Sequence, residues 1–283
     1  MKKVLFATTA LIATAGIASA EVKLSGMGTM GVLDVEGADA IIYHNVDLYV
    51  NMSGETDNGL SFSAFIEYDE NEDAANLAKA GSGVSDGSWV SVSGAFGTLT
   101  LGNTDGALDK RITEVHRIIG LDYELWGGYV DNSDNQNILR YDYQFGDFGF
   151  SASYADFDDA TGVGINWSGD LGGMGASFGL AYEDSDLGDL TAVSAGLSMD
   201  AFEVRTAYWE GDNNGDTEQW DVSAQYSANG LTVGANYLMN DVADTDDYTV
   251  FVTYDLGGGA TLLAQTGERN DVTTTAAGIS LKF

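Results

Sequence analysis

The stretch that decides the fold is AGISLKF, residues 277–283, in which apolar side chains at odd positions alternate with glycine, serine and lysine. Such alternation gives a β-strand one apolar and one polar face. A strand that ends on an aromatic residue at its apolar parity is unusual in a soluble protein. It is normal in a barrel of the bacterial outer membrane, where the last strand has to pair and close the sheet.

The same alternation recurs along the whole chain, for example over residues 22–32, 41–52 and 231–240. In water the apolar faces would need a second layer, whereas in a membrane barrel they meet lipid and the polar faces meet a lumen. We count sixteen such segments, which start near residues 22, 41, 59, 87, 97, 137, 148, 162, 174, 190, 201, 217, 231, 246, 260 and 272.

The connections between these segments alternate in size. Tight turns, such as residues 95–97 and 228–230, alternate with connections that tend to be longer and more acidic, such as 70–87 and 210–217. A β-sandwich would not sort its connections in this way. The sequence therefore predicts an all-β fold: a transmembrane up-and-down antiparallel β-barrel of sixteen strands, with both termini at the short-turn rim.

Residues 1–20 have the three parts of a secretory signal peptide. Lys2 and Lys3 give a positive start, residues 4–17 are apolar, and residues 18–20 read Ala-Ser-Ala, a small-residue cleavage site. We therefore expect residues 1–20 to be removed and residues 21–283 to form the barrel in the outer membrane of a Gram-negative bacterium. The absence of cysteine agrees with an exported protein that needs no disulfides.

Composition excludes several classes of protein. A net charge of −33 would suggest disorder, but 44% hydrophobic and 11% aromatic residues supply enough apolar surface to fold. The acidic excess argues against nucleic acid as a partner. His44 and His116 leave few options for a histidine-based catalytic site, and no metal-protease, phosphate-loop or thiol motif is present. We therefore do not expect an enzyme.

One connection is much longer than the others, because residues 103–136 show no alternation of apolar and polar side chains. It is the third of the long connections and carries a cluster of basic residues around His116. Structureless connections of this length are usually functional.

Four stretches resemble the Rhodobacter-type general porins of alphaproteobacteria: EVKLSG (21–26), MSGETDNGL (52–60), VSGAFG (92–97) and LGGGA (256–260). The likeness covers essentially the whole mature chain. It implies a homotrimer of sixteen-stranded barrels in outer-membrane lipid, each with a water-filled pore that the inward-folded third long loop narrows.

Carried over from the resemblance, residues 103–136 become the constriction loop. Its candidate acidic pore lining is Asp105, Asp109, Glu114, Asp122 and Glu124. The alternative for each is a carboxylate that stays solvated outside the pore.

The chain departs from the resembled pattern at the wall opposite the loop. Such porins place arginines on the second strand, where this chain has Asn45 and Asp47. Arg140 and Arg205 have lumen parity and are the candidate basic wall residues, unless each simply pairs with a neighbouring carboxylate. The other candidate lumen-facing groups are the carboxylates Asp47, Glu67, Asp142 and Glu203.

An unplugged barrel of this size leaves an aqueous channel, so the expected function is passive diffusion of ions and small hydrophilic solutes. Carboxylates in excess of bases on the lumen parity predict a weak to moderate preference for cations. The runner-up is a substrate-specific porin, for example for a sugar, using aromatic residues at lumen parity: Tyr43, Tyr49, Phe65 and Trp209. A barrel enzyme or an anchor protein is a remote alternative.

We expect no required cofactor, but one loop has residues suited to binding calcium. Asp212, Asn214, Asp216 and Glu218 present hard oxygen ligands at alternate positions around Gly215. The motif falls short of the full twelve-residue calcium loop, and the alternative is a solvated acidic loop.

Overall fold

A computed structural model shows a closed antiparallel barrel. The structure describes residues 20–69, 84–116, 137–156, 159–212 and 215–283, and within these ranges it contains sixteen strands and one short helix. The predicted fold class is confirmed, and every predicted strand start lies within three residues of an observed one. The strands are β1 (Glu21–Val35), β2 (Ile41–Glu55), β3 (Ser61–Asp69), β4 (Val84–Gly94), β5 (Gly97–Asn103), β6 (Asn137–Phe145), β7 (Phe148–Ala155), β8 (Ala160–Asp170), β9 (Gly175–Ser185), β10 (Gly188–Met199), β11 (Phe202–Asp212), β12 (Asp216–Ala228), β13 (Leu231–Asn240), β14 (Thr245–Gly257), β15 (Ala260–Arg269) and β16 (Val272–Lys282); the helix is α1 (Ala107–Arg111).

The last strand closes the barrel as its alternation predicts. Each strand pairs with its neighbours in sequence, and β16 pairs with β1 in the register Met30 opposite Ile279. Beyond the end of β16, the N–H of Phe283 donates to the carbonyl oxygen of Gly26 at 2.9 Å. The described sheet therefore has no unpaired edge, which a barrel in lipid requires.

Alternation sorts the side chains between the two faces of the sheet. On β2, Ile42 points outward and is 81% exposed, whereas its neighbours Tyr43 and Asn45 point inward and are each 4% exposed. The same contrast repeats around the barrel, so the outer surface is an apolar band while much of the inside is polar. This arrangement is the reverse of a soluble protein and suits lipid outside and water inside. Among the residues described, no helix has the length and apolar character that a membrane crossing requires.

The two rims differ as predicted, with exceptions. Five connections at the rim that carries both termini have two residues each, between β4–β5, β6–β7, β10–β11, β12–β13 and β14–β15. The longest connections, residues 70–83 and 104–136, lie at the opposite rim. At that rim the β11–β12 connection, which is predicted to be long, has only three residues, and the β9–β10 and β15–β16 connections are two-residue turns. In the latter, Asn270 and Asp271 both have positive φ angles of 50° and 61°, the backbone of a tight hairpin turn.

Not all of the inner face is polar. Buried apolar residues on β1, β2 and β14–β16 form one cluster, which consists of Leu33, Tyr43, Phe251, Leu263 and Ala276. A second cluster lies on β9–β11, where α1 packs against the inside of the wall.

Candidate functional site

After β5 the chain turns into the barrel, and residues 104–116, here called the inner segment, lie along the inner face of the wall. Its helix α1 packs against β7, β8 and β9. Glycine at lumen-facing positions makes room for it. A Cβ atom on Gly164 would lie 2.7 Å from the carbonyl oxygen of Ala107 and 2.8 Å from the Cβ of Arg111. A larger residue at this position would push the segment away from the wall.

Backbone hydrogen bonds hold the inner segment to the wall. Three of its N–H groups each donate to a serine hydroxyl on a different strand: Ala107 to Ser153 at 2.8 Å, Thr113 to Ser194 at 2.8 Å and His116 to Ser223 at 2.9 Å. Asn236 on β13 donates to the carbonyl oxygen of His116 at 3.0 Å. These bonds satisfy backbone groups that would otherwise be buried without partners. The segment thereby spans the inside of the wall from β7 to β13.

An apolar cluster lies under the same segment. Trp209 on β11 is fully buried, and Leu108 and Ile112 of the inner segment pack in the same cluster. The other members are Ala181, Leu190, Ala192 and Ala207 on β9–β11. Sequence reasoning missed this cluster, although a signal existed: apolar residues at lumen parity on three neighbouring strands indicate that something covers them.

Arg111 binds the end of α1 to the wall through its whole guanidinium group. Its Nε donates to Ser151 at 2.7 Å, its Nη1 to Asn166 at 3.0 Å, and its Nη2 to both Asp142 at 3.1 Å and the Phe150 carbonyl at 2.7 Å. Burial lowers the pKa of Arg111 and Asp142 opposes that shift, but arginine remains charged at any pH of interest. The forked group thus supplies four directed bonds at one point of the wall.

The two arginines predicted as basic pore wall both contact the inner segment. The Nε of Arg140 donates to Asp142 at 2.9 Å, and its Nη1 donates to the carbonyl oxygen of Asp105. Arg205 donates to Glu203 at 2.9 Å and to the carbonyl oxygen of Glu114 at 3.2 Å. Each arginine is therefore paired with a neighbouring carboxylate, which is the alternative to a free basic pore wall. Each one also binds the inner segment to the wall.

His116 lies at the end of the described inner segment, 4% exposed. Its Nδ1 is 2.8 Å from the Ser223 hydroxyl, and its Nε2 is 3.1 Å from an oxygen of Glu203. Burial lowers the pKa of His116, and this outweighs the contact with Glu203, which raises it; Arg205 adds to the lowering. The ring is therefore neutral near pH 7.

The predicted acidic residues of the loop are separated by the structure. Asp105 and Asp109 line a cavity of about 950 Å³ between the inner segment and β3–β6. Glu114 lies farther along, where its backbone carbonyl meets Arg205. Asp122 and Glu124 lie outside the described residues, as does most of the predicted constriction loop.

The predicted lumen carboxylates also fall into different surroundings. Asp47 is 6% exposed and accepts hydrogen bonds from Asn45 and Tyr49. Glu67 lines the cavity, whereas Asp142 is held between two arginines and Glu203 lies beside His116. Of the four, Glu67 and Asp142 line the cavity, and Glu67 stands opposite Tyr49 in the strand register.

The aromatic residues proposed for a sugar path are only partly in the cavity. Tyr43 and Trp209 are buried in the apolar clusters, so for these two the expectation is wrong. Phe65 lines the cavity, and Tyr49 stacks on it with ring centroids 6.2 Å apart. Trp89, which sequence reasoning missed, continues the stack; its inward parity is visible from its outward neighbour Val90.

The calcium motif stays a prediction. Asp212 and Asp216 face each other across the β11–β12 pair, and Glu218 accepts a hydrogen bond from Tyr208 at 3.1 Å. Asn214 lies outside the described residues. Within the part of the chain that is described, no three histidine, cysteine or acidic side chains lie close enough together to hold a metal ion.

Comparison with known proteins gives a consistent result. A sequence profile of Gram-negative porins matches residues 7–274. A porin of Rhodobacter capsulatus is 26% identical over 312 aligned positions, which cover 93% of this chain and 99% of that protein. A triple mutant of the Rhodopseudomonas blastica porin superposes with a TM-score of 0.70 at 20% identity, over 93% of this chain and 100% of the other. Another mutant of the Rh. blastica porin gives 0.70 at 19% identity with the same coverage.

Proposed function

This chain belongs to the Gram-negative porin family, and from that premise we propose that it is a general diffusion channel with a modest preference for cations. The family membership confirms the resemblance that the turn motifs predicted, and it makes the chain an outer-membrane channel rather than an enzyme. The selectivity, the solutes and the oligomeric state are the parts that we propose.

The observation that carries the cation preference is the charge around the cavity between the inner segment and β3–β6. Its described lining includes four carboxylates, Glu67, Asp105, Asp109 and Asp142, and three bases, Lys110, Arg111 and Arg140. Four negative minus three positive charges leave a net charge of −1. Asp142 contacts both arginines, and Arg140 also lies 3.8 Å from a carboxylate oxygen of Asp105. One carboxylate neutralises only one of the two arginines, so the net charge of −1 is the charge that a passing ion experiences.

A small net charge supports a modest selectivity rather than a strong one. Rings of carboxylates favour cations in a pore, and the effect weakens as salt screens it. The acidic composition of the whole chain adds a negative potential at the rims, with a net charge of −33. We therefore expect cation preference to be largest at low salt.

The test is the reversal potential of purified channels in a planar bilayer under a KCl gradient. We expect a sign that favours K⁺, and a shift toward zero in Glu67→Gln and Asp105→Asn. Asp200→Asn is the matched control, because Asp200 lies in a two-residue rim turn and Asn tolerates its φ of 52°. A reversal potential that favours chloride in the parent protein would contradict the proposal.

We also propose a homotrimer in outer-membrane lipid, since this assembly is implied by the resemblance to the Rhodobacter-type porins. Light scattering of the detergent-solubilised protein should give three times the mass of one chain after the detergent is subtracted. A stable mass of one chain would contradict the trimer.

Calcium at the β11–β12 loop is the last proposal, supported by the alternating oxygen ligands around Gly215. We expect the parent protein to bind ⁴⁵Ca²⁺ in competition with excess Mg²⁺, and Asp216→Asn with Glu218→Gln to lose that binding. Equal binding by parent and variant would assign it to the general acidity of the rim.

A further inference from the structure

Three aromatic rings form a row on the inner wall of neighbouring strands: Tyr49 on β2, Phe65 on β3 and Trp89 on β4. We call them the aromatic row. The ring centroids of Tyr49 and Phe65 are 6.2 Å apart with planes at 17°, and those of Phe65 and Trp89 are 5.8 Å apart with planes at 21°. Phe65 and Trp89 line the cavity of about 950 Å³. Unlike Trp209, which is packed under the inner segment, these rings border space that a solute can enter.

The strand register fixes what lies beside the aromatic row. Tyr49 stands directly opposite Glu67, and the next inward pair toward the long-loop rim is Asp47 opposite Asp69. The hydroxyl of Tyr49 donates to Asp47 at 3.2 Å. The inward carboxylates of β2 and β3 therefore lie on the long-loop side of Phe65, and of these Glu67 lines the cavity.

On the other side of the row, toward the short-turn rim, the next inward pair on β3 and β4 is uncharged. Ser63 stands opposite Ser91, with their hydroxyl oxygens 2.7 Å apart. Beyond this pair, Glu55 stands opposite Ser61, and Lys23 on β1 stands opposite Asn51.

The inner segment faces the row across the cavity. It contributes Asp105, which is exposed, together with Asp109 and Lys110. The arginines that line the same cavity both contact Asp142, and Arg140 also lies 3.8 Å from Asp105. A group beside Phe65 or Trp89 therefore has Glu67 next to it, in a cavity whose four carboxylates exceed its three bases by one charge.

We infer that the aromatic row and Glu67 form a subsite for an organic cation with a flat or N-methylated face, such as a quaternary ammonium compound. The faces of aromatic rings are electronegative and attract cations, best when the cation is large and weakly hydrated. A carboxylate beside the rings attracts a cation and repels an anion, and it has no net charge interaction with a neutral sugar. The inference rests on the proposed channel function, because it places the subsite in the diffusion path.

The experiment is single-channel recording in symmetric KCl with benzyltrimethylammonium chloride added at the long-loop side. Two comparison probes separate the chemistry: glucose, which has a flat face without charge, and benzenesulfonate, which has the ring with negative charge. We expect concentration-dependent interruptions of the current with the cation and none with the other two probes at the same concentration.

Variants locate the interruptions within the pore. Phe65→Leu and Trp89→Leu keep apolar volume but remove a ring face, and each should shorten the blocked time by roughly threefold to tenfold. Trp89→Phe keeps a ring face, so its blocked time should be close to that of the parent. Glu67→Gln should weaken block in a way that disappears at high salt. Phe62→Leu is the matched control, because Phe62 points outward on the same strand and is 43% exposed.

Each variant has to show the far-UV circular dichroism spectrum and the Tm range of the parent, which shows that the barrel is intact, and block is expressed relative to its own open-channel current. Unchanged block in both ring variants would overturn the inference, and so would glucose block with the same dependence on the rings. Selectivity is measured in KCl alone, without any probe. A ring-dependent block in a channel that prefers chloride would therefore overturn the proposed selectivity while it supports the subsite.

Discussion

The inner face of this barrel has two regions that sequence parity cannot tell apart. The covered wall, on β7–β13, lies under the inner segment, whereas the open wall, on β2–β5, borders the cavity. Trp209 and Trp89 show the difference: both point inward, but Trp209 is 0% exposed and Trp89 lines the cavity. Inward direction thus assigns a side chain to the inside of the barrel, and the path of the loop decides whether that side chain meets solutes.

The two regions also use charge differently. On the covered wall, charged groups make short directed contacts, as where Arg205 binds Glu203 and the carbonyl oxygen of Glu114. On the open wall, Glu67 lies beside the aromatic row and the cavity. The first arrangement fixes a segment in place, and the second sets a potential that a passing ion experiences.

The largest effect is expected from Arg111→Ala, which removes four hydrogen bonds between α1 and the covered wall. Losing the charged partner of hydrogen bonds costs roughly 1.5–3 kcal/mol, while Asp142 keeps its contact with Arg140. We expect the inner segment to detach, with a larger and noisier single-channel conductance and a lower Tm in detergent.

Arg111→Lys is the control for that experiment. Lysine keeps the positive charge but cannot form the forked contacts, so its conductance and Tm should be intermediate. A parent-like conductance and Tm in Arg111→Ala would show that the segment does not depend on this contact.

A smaller effect is expected from Gly164→Ala on the covered wall. The added Cβ would lie 2.7 Å from the carbonyl oxygen of Ala107, and overpacking of this kind costs typically about 1–3 kcal/mol. The matched change on the open wall is Gly87→Ala, where the nearest atom to the new Cβ is a flexible Asn103 side-chain nitrogen at 3.8 Å. Thermal unfolding should separate the two variants, and equal Tm values would argue against the difference between the walls.

The smallest expected effect is a pH dependence of the contact at His116. Burial lowers its pKa, so the attached segment binds a proton less readily than the detached one. The contribution of His116 to the stability of the attached segment is therefore complete above the ordinary histidine pKa of about 6.5. It is lost as the pH falls below that value. Glu203 lies 3.1 Å from the ring, and Arg205 is bonded to Glu203.

The check is the Tm of the parent protein and of His116→Gln between pH 5 and 8. The parent should lose stability on acidification relative to the glutamine variant, which has nothing to titrate at this position. A parent that gains stability at low pH relative to the variant would mean that the contact with Glu203 outweighs burial.

The barrel could be predicted almost completely from the sequence, because strand alternation and turn residues are local signals. The strand count, the closure by residues 277–283 and the two rims all follow from a period of two. The alternation predicts the start of β4 at residue 87, three residues after the observed start, and a register shift between Glu67 and Tyr68 lies next to it. A bulge of this kind interrupts the alternation on which the prediction depends.

The site could be predicted only in part, since it depends on contacts between residues far apart in sequence. Parity and resemblance predict carboxylates on the loop and wall, but parity cannot show that Arg111 binds Asp142 or that Trp209 is covered. Glycine at position 164 and apolar residues at lumen parity on β9–β11 were the available signals of a covering segment.

The most direct test of the difference between the two walls uses single cysteines, because the chain has none of its own. Ser91→Cys places a thiol on the open wall, and Ala192→Cys places one on the covered wall, where Ala192 is 0% exposed. A charged methanethiosulfonate reagent is added while the conductance is recorded. The structure predicts that Ser91→Cys reacts and loses conductance, whereas Ala192→Cys stays unchanged over the same time. Equal rates of reaction at the two positions would contradict it.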